Sequence, residues 1–247
     1  MCIRDRLYVN DAVGVSHRSH ASVDAITNFL PSYAGLLMQK EINMLNQVTN
    51  SPKSPFIVIL GGAKVSDKIS VIDNLKQKAN TFVIGGGMAA TFICALGYKI
   101  GKSPVETDYI KFAKDLILES QDTDFEIILP KDVIVSEKFS IDSTFRTTLI
   151  DDVAENEMIL DIGPQTSVLF AEAINESKTL LWNGPMGVFE FEQYSNGTKK
   201  IATKLSQLPA NALAYVHRIE QLVGCKVQII STGPRRDETI QVEPIFT

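Results

Sequence analysis

Two glycine-bearing stretches decide the reading of this chain: Ile59-Leu60-Gly61-Gly62-Ala63-Lys64 and, one unit further on, Val83-Ile84-Gly85-Gly86-Gly87-Met88. Each closes an apolar run and opens onto a segment of helical period, as a strand does when it turns into a helix at the carboxyl edge of an open α/β sheet. Glycine at such an exit lets the backbone approach a ligand, or another loop, closely. The spacing matches neither GxxxxGKS/T nor GxGxxG. A phosphate cradle and a plain tight turn therefore both remain open.

Working outward, apolar runs recur at Pro55 to Leu60, Thr81 to Ile84, Glu126 to Leu129, Met158 to Ile162 and Thr179 to Trp182. Short apolar strands buried on both faces and separated by helices predict a parallel sheet. The fold class expected is α/β, a Rossmann-like three-layer α/β/α arrangement. Helices are predicted over Tyr33 to Val48, Ser66 to Lys76, Tyr109 to Ser120 and Thr166 to Ile174, with Asp108 and Gln165 as candidate caps. On a helix starting near Val65, Lys64 and Lys68 would share one side near its positive end. Two ammonium groups there suit a polyphosphate, and equally well a solvated basic face.

The last clear strand leads into Trp182-Asn183-Gly184-Pro185-Met186-Gly187-Val188-Phe189-Glu190. Two glycines, a proline, apolar walls and one carboxylate fit a purine slot with Glu190 reaching ribose hydroxyls, or a packed loop whose carboxylate faces water.

Composition narrows the classes. The chain has 247 residues, 45% hydrophobic and 21% charged, which suits one large or two small domains with a sizeable core. No apolar run is long enough to span a bilayer and Met1 to Arg6 does not resemble a signal peptide, so no membrane partner and a cytoplasmic location are expected. A formal net charge of −5 argues against a nucleic-acid partner. Cys2, Cys94 and Cys225 lack disulfide or zinc-site spacing and read as reduced thiols.

Taken in order and spacing, the motifs resemble the phosphoglycerate kinase family. The segments that carry this are Tyr8-Val9-Asn10-Asp11-Ala12, Ser16-His17-Arg18-Ser19-His20-Ala21-Ser22, Leu60 to Lys68, Ile84 to Ala89, Asp161-Ile162-Gly163-Pro164 and Trp182 to Glu190. The resemblance runs from about Leu7 to about Lys204. It implies phosphoryl transfer between 1,3-bisphosphoglycerate and Mg-ADP, giving 3-phosphoglycerate and Mg-ATP, in a monomer.

By that resemblance Gly61, Gly62, Ala63, Gly85, Gly86, Gly163, Asn183, Gly184, Met186 and Phe189 line the nucleotide site, with Glu190 on the ribose. Lys68 contacts nucleotide phosphate, Lys64 meets the phosphoryl group in flight, and Arg18 binds the acid substrate. Mg²⁺ arrives with ADP or ATP, and no residue is assigned to the metal itself. His17 and His20 are expected to be structural, because the reaction needs no proton abstraction.

The same resemblance divides the chain into residues 1–32, from the substrate domain, 33–50, an interdomain helix, and 51–206, the nucleotide-binding domain. It implies a longer protein before Leu7. After Lys204 it implies a further strand ending in GGGDT and a segment of STGGGAS type, which this sequence does not contain. Residues 207–247 instead resemble the C-terminus of adenylosuccinate synthetase, with Ser231 and Gly233 at the positions that touch guanine in that family. A helix from Asn211 to Val223 and a strand from Val227 to Ile230 are predicted there, the strand filling a vacant place in the sheet. On this reading the chain is a chimeric fragment, truncated at both ends. It is not expected to complete the reaction alone, the alternative function being weak adenine-nucleotide binding without catalysis.

Overall fold

The computed structural model describes residues 7–206 and two short terminal strands, and these residues divide into two compact units, the second spanning 52–206. In the first unit β1 (Tyr8–Asn10) pairs in parallel with β2 (Ser32–Ala34), and α1 runs over Leu36–Asn50. Tyr33, expected to begin that helix, lies in β2 instead. The first turn of α1 is capped from a distance: the Asp11 carboxylate accepts the Met38 N–H at 2.9 Å. None of the described hydrophobic residues before Phe56 is buried.

The second unit holds the core. Its parallel sheet is built from β3 (Phe56–Leu60), β4 (Thr81–Ile84), β5 (Glu126–Ile128) and β9 (Thr179–Asn183), in the order β5-β4-β3-β9. Every residue of β3 is buried, so both of its faces are covered. This is the pattern that a parallel strand between helices requires. On one face Ile57, Ile59 and Val83 meet Phe170 and Ile174 of α5 (Pro164–Glu176) and Ile201 of α6 (Asn196–Ser206). Each such side chain contributes roughly 1.5–3 kcal/mol through the apolar surface it removes from water. The remaining helices are α2 (Ile69–Leu75), α3 (Ala89–Ala95) and α4 (Ile110–Asp122). No helix among the described residues is long and apolar enough to cross a membrane.

One strand departs from expectation. Met158–Ile162, β8, does not join the parallel sheet. It pairs antiparallel with β6 (Asp132–Ser136), which also pairs antiparallel with β7 (Phe145–Leu149), giving a separate sheet in the order β7-β6-β8. An apolar run of five reads alike in either sheet, and the partners β6 and β7 carry Asp132, Ser136, Arg146 and Thr148 among their apolar residues.

The expected caps are also replaced. Neither Asp108 nor Gln165 closes its helix by a side-chain cap. At α5 the cap comes from β6: the buried Asp132 carboxylate accepts the Gln165 and Thr166 N–H groups at 3.0 and 2.7 Å and the Thr166 hydroxyl at 2.6 Å. A carboxylate at a helix start satisfies otherwise orphaned donors and opposes the positive end of the dipole.

In the tail, β10 (Ile229–Ser231) pairs antiparallel with β11 (Thr239–Gln241) in a two-stranded sheet of its own, not in the parallel sheet as expected. The helix predicted over 211–223 lies outside the described residues.

Candidate functional site

Parallel strands bring their carboxyl ends to one edge, and the exits of β3, β4 and β9 meet there. They are tied together by their own backbones. Gly61 N–H donates to the Asn183 carbonyl at 2.9 Å, Gly62 N–H to Pro185 at 2.8 Å, Gly86 N–H to Met186 at 2.9 Å, and Met88 N–H to Gly62 at 2.9 Å. The Trp182 indole N–H closes the third turn on the Gly184 carbonyl at 2.6 Å.

This spacing explains the glycines. Gly86 has φ +64°, and a Cβ there would lie 2.6 Å from both the Gly62 nitrogen and the Pro185 oxygen. A Cβ on Gly61 would fall inside the Pro185 carbonyl oxygen's contact shell. The amides of Gly61, Gly62 and Gly86 are spent on neighbouring loops. Their glycines therefore serve to close the loops on one another.

Among the side chains at this edge, Lys68 is tethered. Its ammonium donates to Asn183 Oδ1 at 2.7 Å, which joins the segment after β3 to the end of β9. Partial burial holds its pKa below the usual lysine value, with neighbouring Asp67 opposing that shift. Lys64 is exposed at the mouth of the same turn. The pair does not stand on one helix, as the spacing predicted. Residues 65–68 form a turn, Lys68 N–H bonding to the Val65 carbonyl at 2.8 Å, and α2 begins only at Ile69.

Met186 is fully buried in the core beneath the loops, and a Cβ on Gly85 or Gly61 would strike its side chain at 2.6 Å. Asn183 and Glu190 are exposed, and Phe189 is half-buried. The β8 exit joins from the side. Val188 N–H donates to the Leu160 carbonyl at 2.8 Å, and the buried Asp161 carboxylate accepts Gly197 N–H at 2.8 Å while packing on Gly187. Burial pushes the Asp161 carboxyl up to about 7, against the pull of the Gly197 and Ile162 N–H groups and nearby Lys200. Gly163 lies against Asp132 at the start of α5.

Three strand exits bonded to one another, with the β8 segment packed beside them, are the setting for the comparisons with known proteins. The phosphoglycerate kinase family profile matches residues 4–223. The chain belongs to the phosphoglycerate kinase family. It is 43% identical over 232 residues to the phosphoglycerate kinase of Moorella thermoacetica, covering 92% of this chain and 59% of that protein. It is 48% identical over 203 residues to that of Pseudothermotoga lettingae, covering 82% and 51%. Among solved structures, phosphoglycerate kinase from Coxiella burnetii superposes with a TM-score of 0.75 at 33% identity, covering 89% of this chain and 58% of that one. The chain thus spans about half the length of the family members it matches.

The family match extends further than the resemblance seen in the sequence. It continues to residue 223, past the end expected near Lys204. The comparisons lend no support to a chimera or to an adenylosuccinate synthetase tail.

Arg18 belongs to the first unit, and its surroundings are those of a surface group. It is exposed and donates through Nε to His17 Nε2 at 3.3 Å. Sequence reasoning missed Glu106 and Asp132 altogether, because their partners lie 33 to 41 residues away and no local pattern marks them.

Proposed function

We propose that residues 52–206 bind the phosphates of Mg-ADP or Mg-ATP, and that the chain thereby supplies the nucleotide side of phosphoryl transfer from 1,3-bisphosphoglycerate. The observation that carries this is the placing of Lys64 and Lys68 at the β3 exit, with Lys68 partly dehydrated and tethered by Asn183. Phosphoryl transfer asks little covalent chemistry of a protein and much fixed positive charge. Lys68 holds nucleotide phosphate and Lys64 stabilises the equatorial oxygens of the group in transit. Glu190 accepts the ribose hydroxyls beside Phe189. Mg²⁺, when bound with the nucleotide, neutralises phosphate charge. The ammonium groups of Lys64 and Lys68 fit that polyanion, and the nucleotide rather than the protein brings the metal. Arg18 is assigned to the carboxylate or phosphate of the acid substrate, for which a planar guanidinium is suited.

Isothermal titration of the purified chain with Mg-ADP tests the reading. Saturable binding is expected, weakened about tenfold or more by Lys68→Ala or Lys64→Ala, since each removes a charge-assisted contact. A soluble, cooperatively melting chain that takes up no nucleotide, or variants that bind as well as the parent, would overturn it.

A second reading has its own observation. Among the described residues, the exposed Arg18 guanidinium bonds to its neighbour His17, which favours a chain that binds nucleotide without completing transfer. A coupled assay with 3-phosphoglycerate and Mg-ATP separates the two.

A further inference from the structure

Next to Lys64 stands a carboxylate that the reaction described above does not use. Glu106 lies beyond α3, in the segment before α4, yet both its oxygens are turned onto the Lys64 turn. Oε2 accepts the N–H of Val65 at 2.5 Å and of Ser66 at 3.1 Å, and Oε1 accepts the Ser66 hydroxyl at 2.6 Å. Its own N–H donates at 3.3 Å to the hydroxyl of Thr91, a fully buried residue of α3. Because α3 follows the β4 exit, Glu106 ties the element behind one glycine loop to the turn leaving the other.

We propose that Glu106 is the positioning residue of Lys64: its carboxylate fixes the two amides that follow Lys64, and so holds that ammonium at the phosphate site. This rests on the reading that Lys64 meets nucleotide phosphate. The physical case is one of anchoring. Lys64 is exposed, and its long side chain has many rotamers, so its reach is set by where its backbone is held. On one side Gly62 is bound by Pro185; on the other Val65 and Ser66 are bound by Glu106. The Val65 side chain is fully buried, which leaves Lys64 and Ala63 as the exposed arc between two fixed points. Three donors converge on one carboxylate, the strong kind of hydrogen bond. Those bonds draw the Glu106 pKa down, aided by the Lys64 charge, although desolvation, the largest influence, pushes it up.

Anchoring and charge predict opposite outcomes. Were Glu106 merely a negative charge beside Lys64, removing it would strengthen binding of a polyanion, and Glu106→Gln and Glu106→Ala would do so equally. Anchoring predicts that Glu106→Ala weakens Mg-ADP and Mg-ATP binding about tenfold, the usual consequence of losing charge-assisted bonds. It also predicts that Glu106→Gln, whose amide oxygen still accepts from the backbone, largely restores affinity. Ser66→Ala, which deletes only the hydroxyl donor, weakens binding to a smaller degree and guards against a Glu106→Ala chain that fails to fold.

The decisive readout is a double-mutant cycle measured by titration with Mg-ADP and Mg-ATP, with melting temperature followed in parallel. If Glu106 acts through Lys64, the effect of Glu106→Ala on affinity vanishes in a Lys64→Ala background while its effect on melting persists. Equal losses in both backgrounds, tighter binding by Glu106→Ala, or lowered melting with unchanged affinity would each overturn the proposal. Lys64→Ala weakening binding while Glu106→Ala does not would sink this inference alone; an inert Lys64→Ala would sink the nucleotide reading and this inference with it.

Discussion

The loop cluster at the end of the parallel sheet and the segment around Arg18 carry the two halves of one family motif set, and they are built in opposite ways. In the cluster, Gly61, Gly62 and Gly86 bond to residues about a hundred positions or more away, over a core in which every residue of β3 is buried. Around Arg18 the bonds are local: Arg18 to His17, His20 N–H to the Arg18 carbonyl at 2.8 Å, Ser19 to Asp24. Phe29 and Leu36 of the same unit are more than 80% exposed. Long-range backbone bonds over a packed core fix a site before its ligand arrives, and interiors packed to crystal density resist displacement. A site on local turns has to be ordered by what binds it, at a cost in conformational entropy. The difference thus separates a preorganised loop edge from an exposed arginine held by local bonds.

The sharpest way to break that contrast is to place one methyl group in each region. Gly86→Ala meets backbone on two sides at an unfavourable φ and is expected to destabilise the chain by about 3 kcal/mol, combining overpacking with left-handed strain. Gly14→Ala has nothing within 4 Å of the new Cβ and is expected to change stability by less than about 0.5 kcal/mol. Urea denaturation of the two variants checks both. Equal losses would mean that the loop contacts are no tighter than the surface.

A smaller effect compares the same device in both regions, a carboxylate capping a distant helix start. Asp132→Ala leaves buried amides of α5 without a partner and is expected to cost about 2–3 kcal/mol. Asp11→Ala removes an exposed cap from α1 and is expected to cost about 0.5–1 kcal/mol. The ratio of the two, from melting curves, measures how far burial sets the value of a cap.

These caps also mark where sequence reading stopped. The β3, β4 and β9 runs were legible because continuous apolar residues flanked by glycine or asparagine have few other uses. The exits were legible as exits, although the role of their glycines, which close loop on loop, required knowing which loops face each other. The antiparallel pairing of β8 was hidden: β7, Phe145-Arg146-Thr147-Thr148-Leu149, exposes all but Thr148 and has no apolar stripe. Arg146 in that strand is instead held by Glu157, through Nε at 2.7 Å, and by Asp152. Glu106 and Asp132 were illegible for a simpler reason. A carboxylate far along the chain looks like any surface acid until folding brings donors to it.

A gentler test follows from Asp161, whose burial beside Gly187 and Gly197 pushes its pKa from the ordinary 3.8 up to about 7. In that window the folded chain holds a proton that the unfolded chain has released. By linkage its stabilising contribution is whole below about pH 4, declines as pH rises, and is gone above about pH 7. Denaturation midpoints should therefore fall across this range, and Asp161→Asn should flatten the fall. A fall of the same size in the variant would assign it to other groups.

The smallest expected effect decides the most about the contrast between regions. Arg18→Ala removes an exposed guanidinium whose Nε donates, at 3.3 Å, to its exposed neighbour His17, so melting should shift by less than the equivalent of about 0.5 kcal/mol. Titration with Mg-ADP should be unchanged, because the bonds that tie the exits of β3, β4 and β9 run among residues 60–88 and 182–188. If Arg18→Ala instead weakened Mg-ADP binding as much as Lys64→Ala, the two regions would be energetically coupled. The nucleotide edge could then no longer be treated as a site preorganised by its own loops, and Arg18 would have to be counted among the groups that hold it.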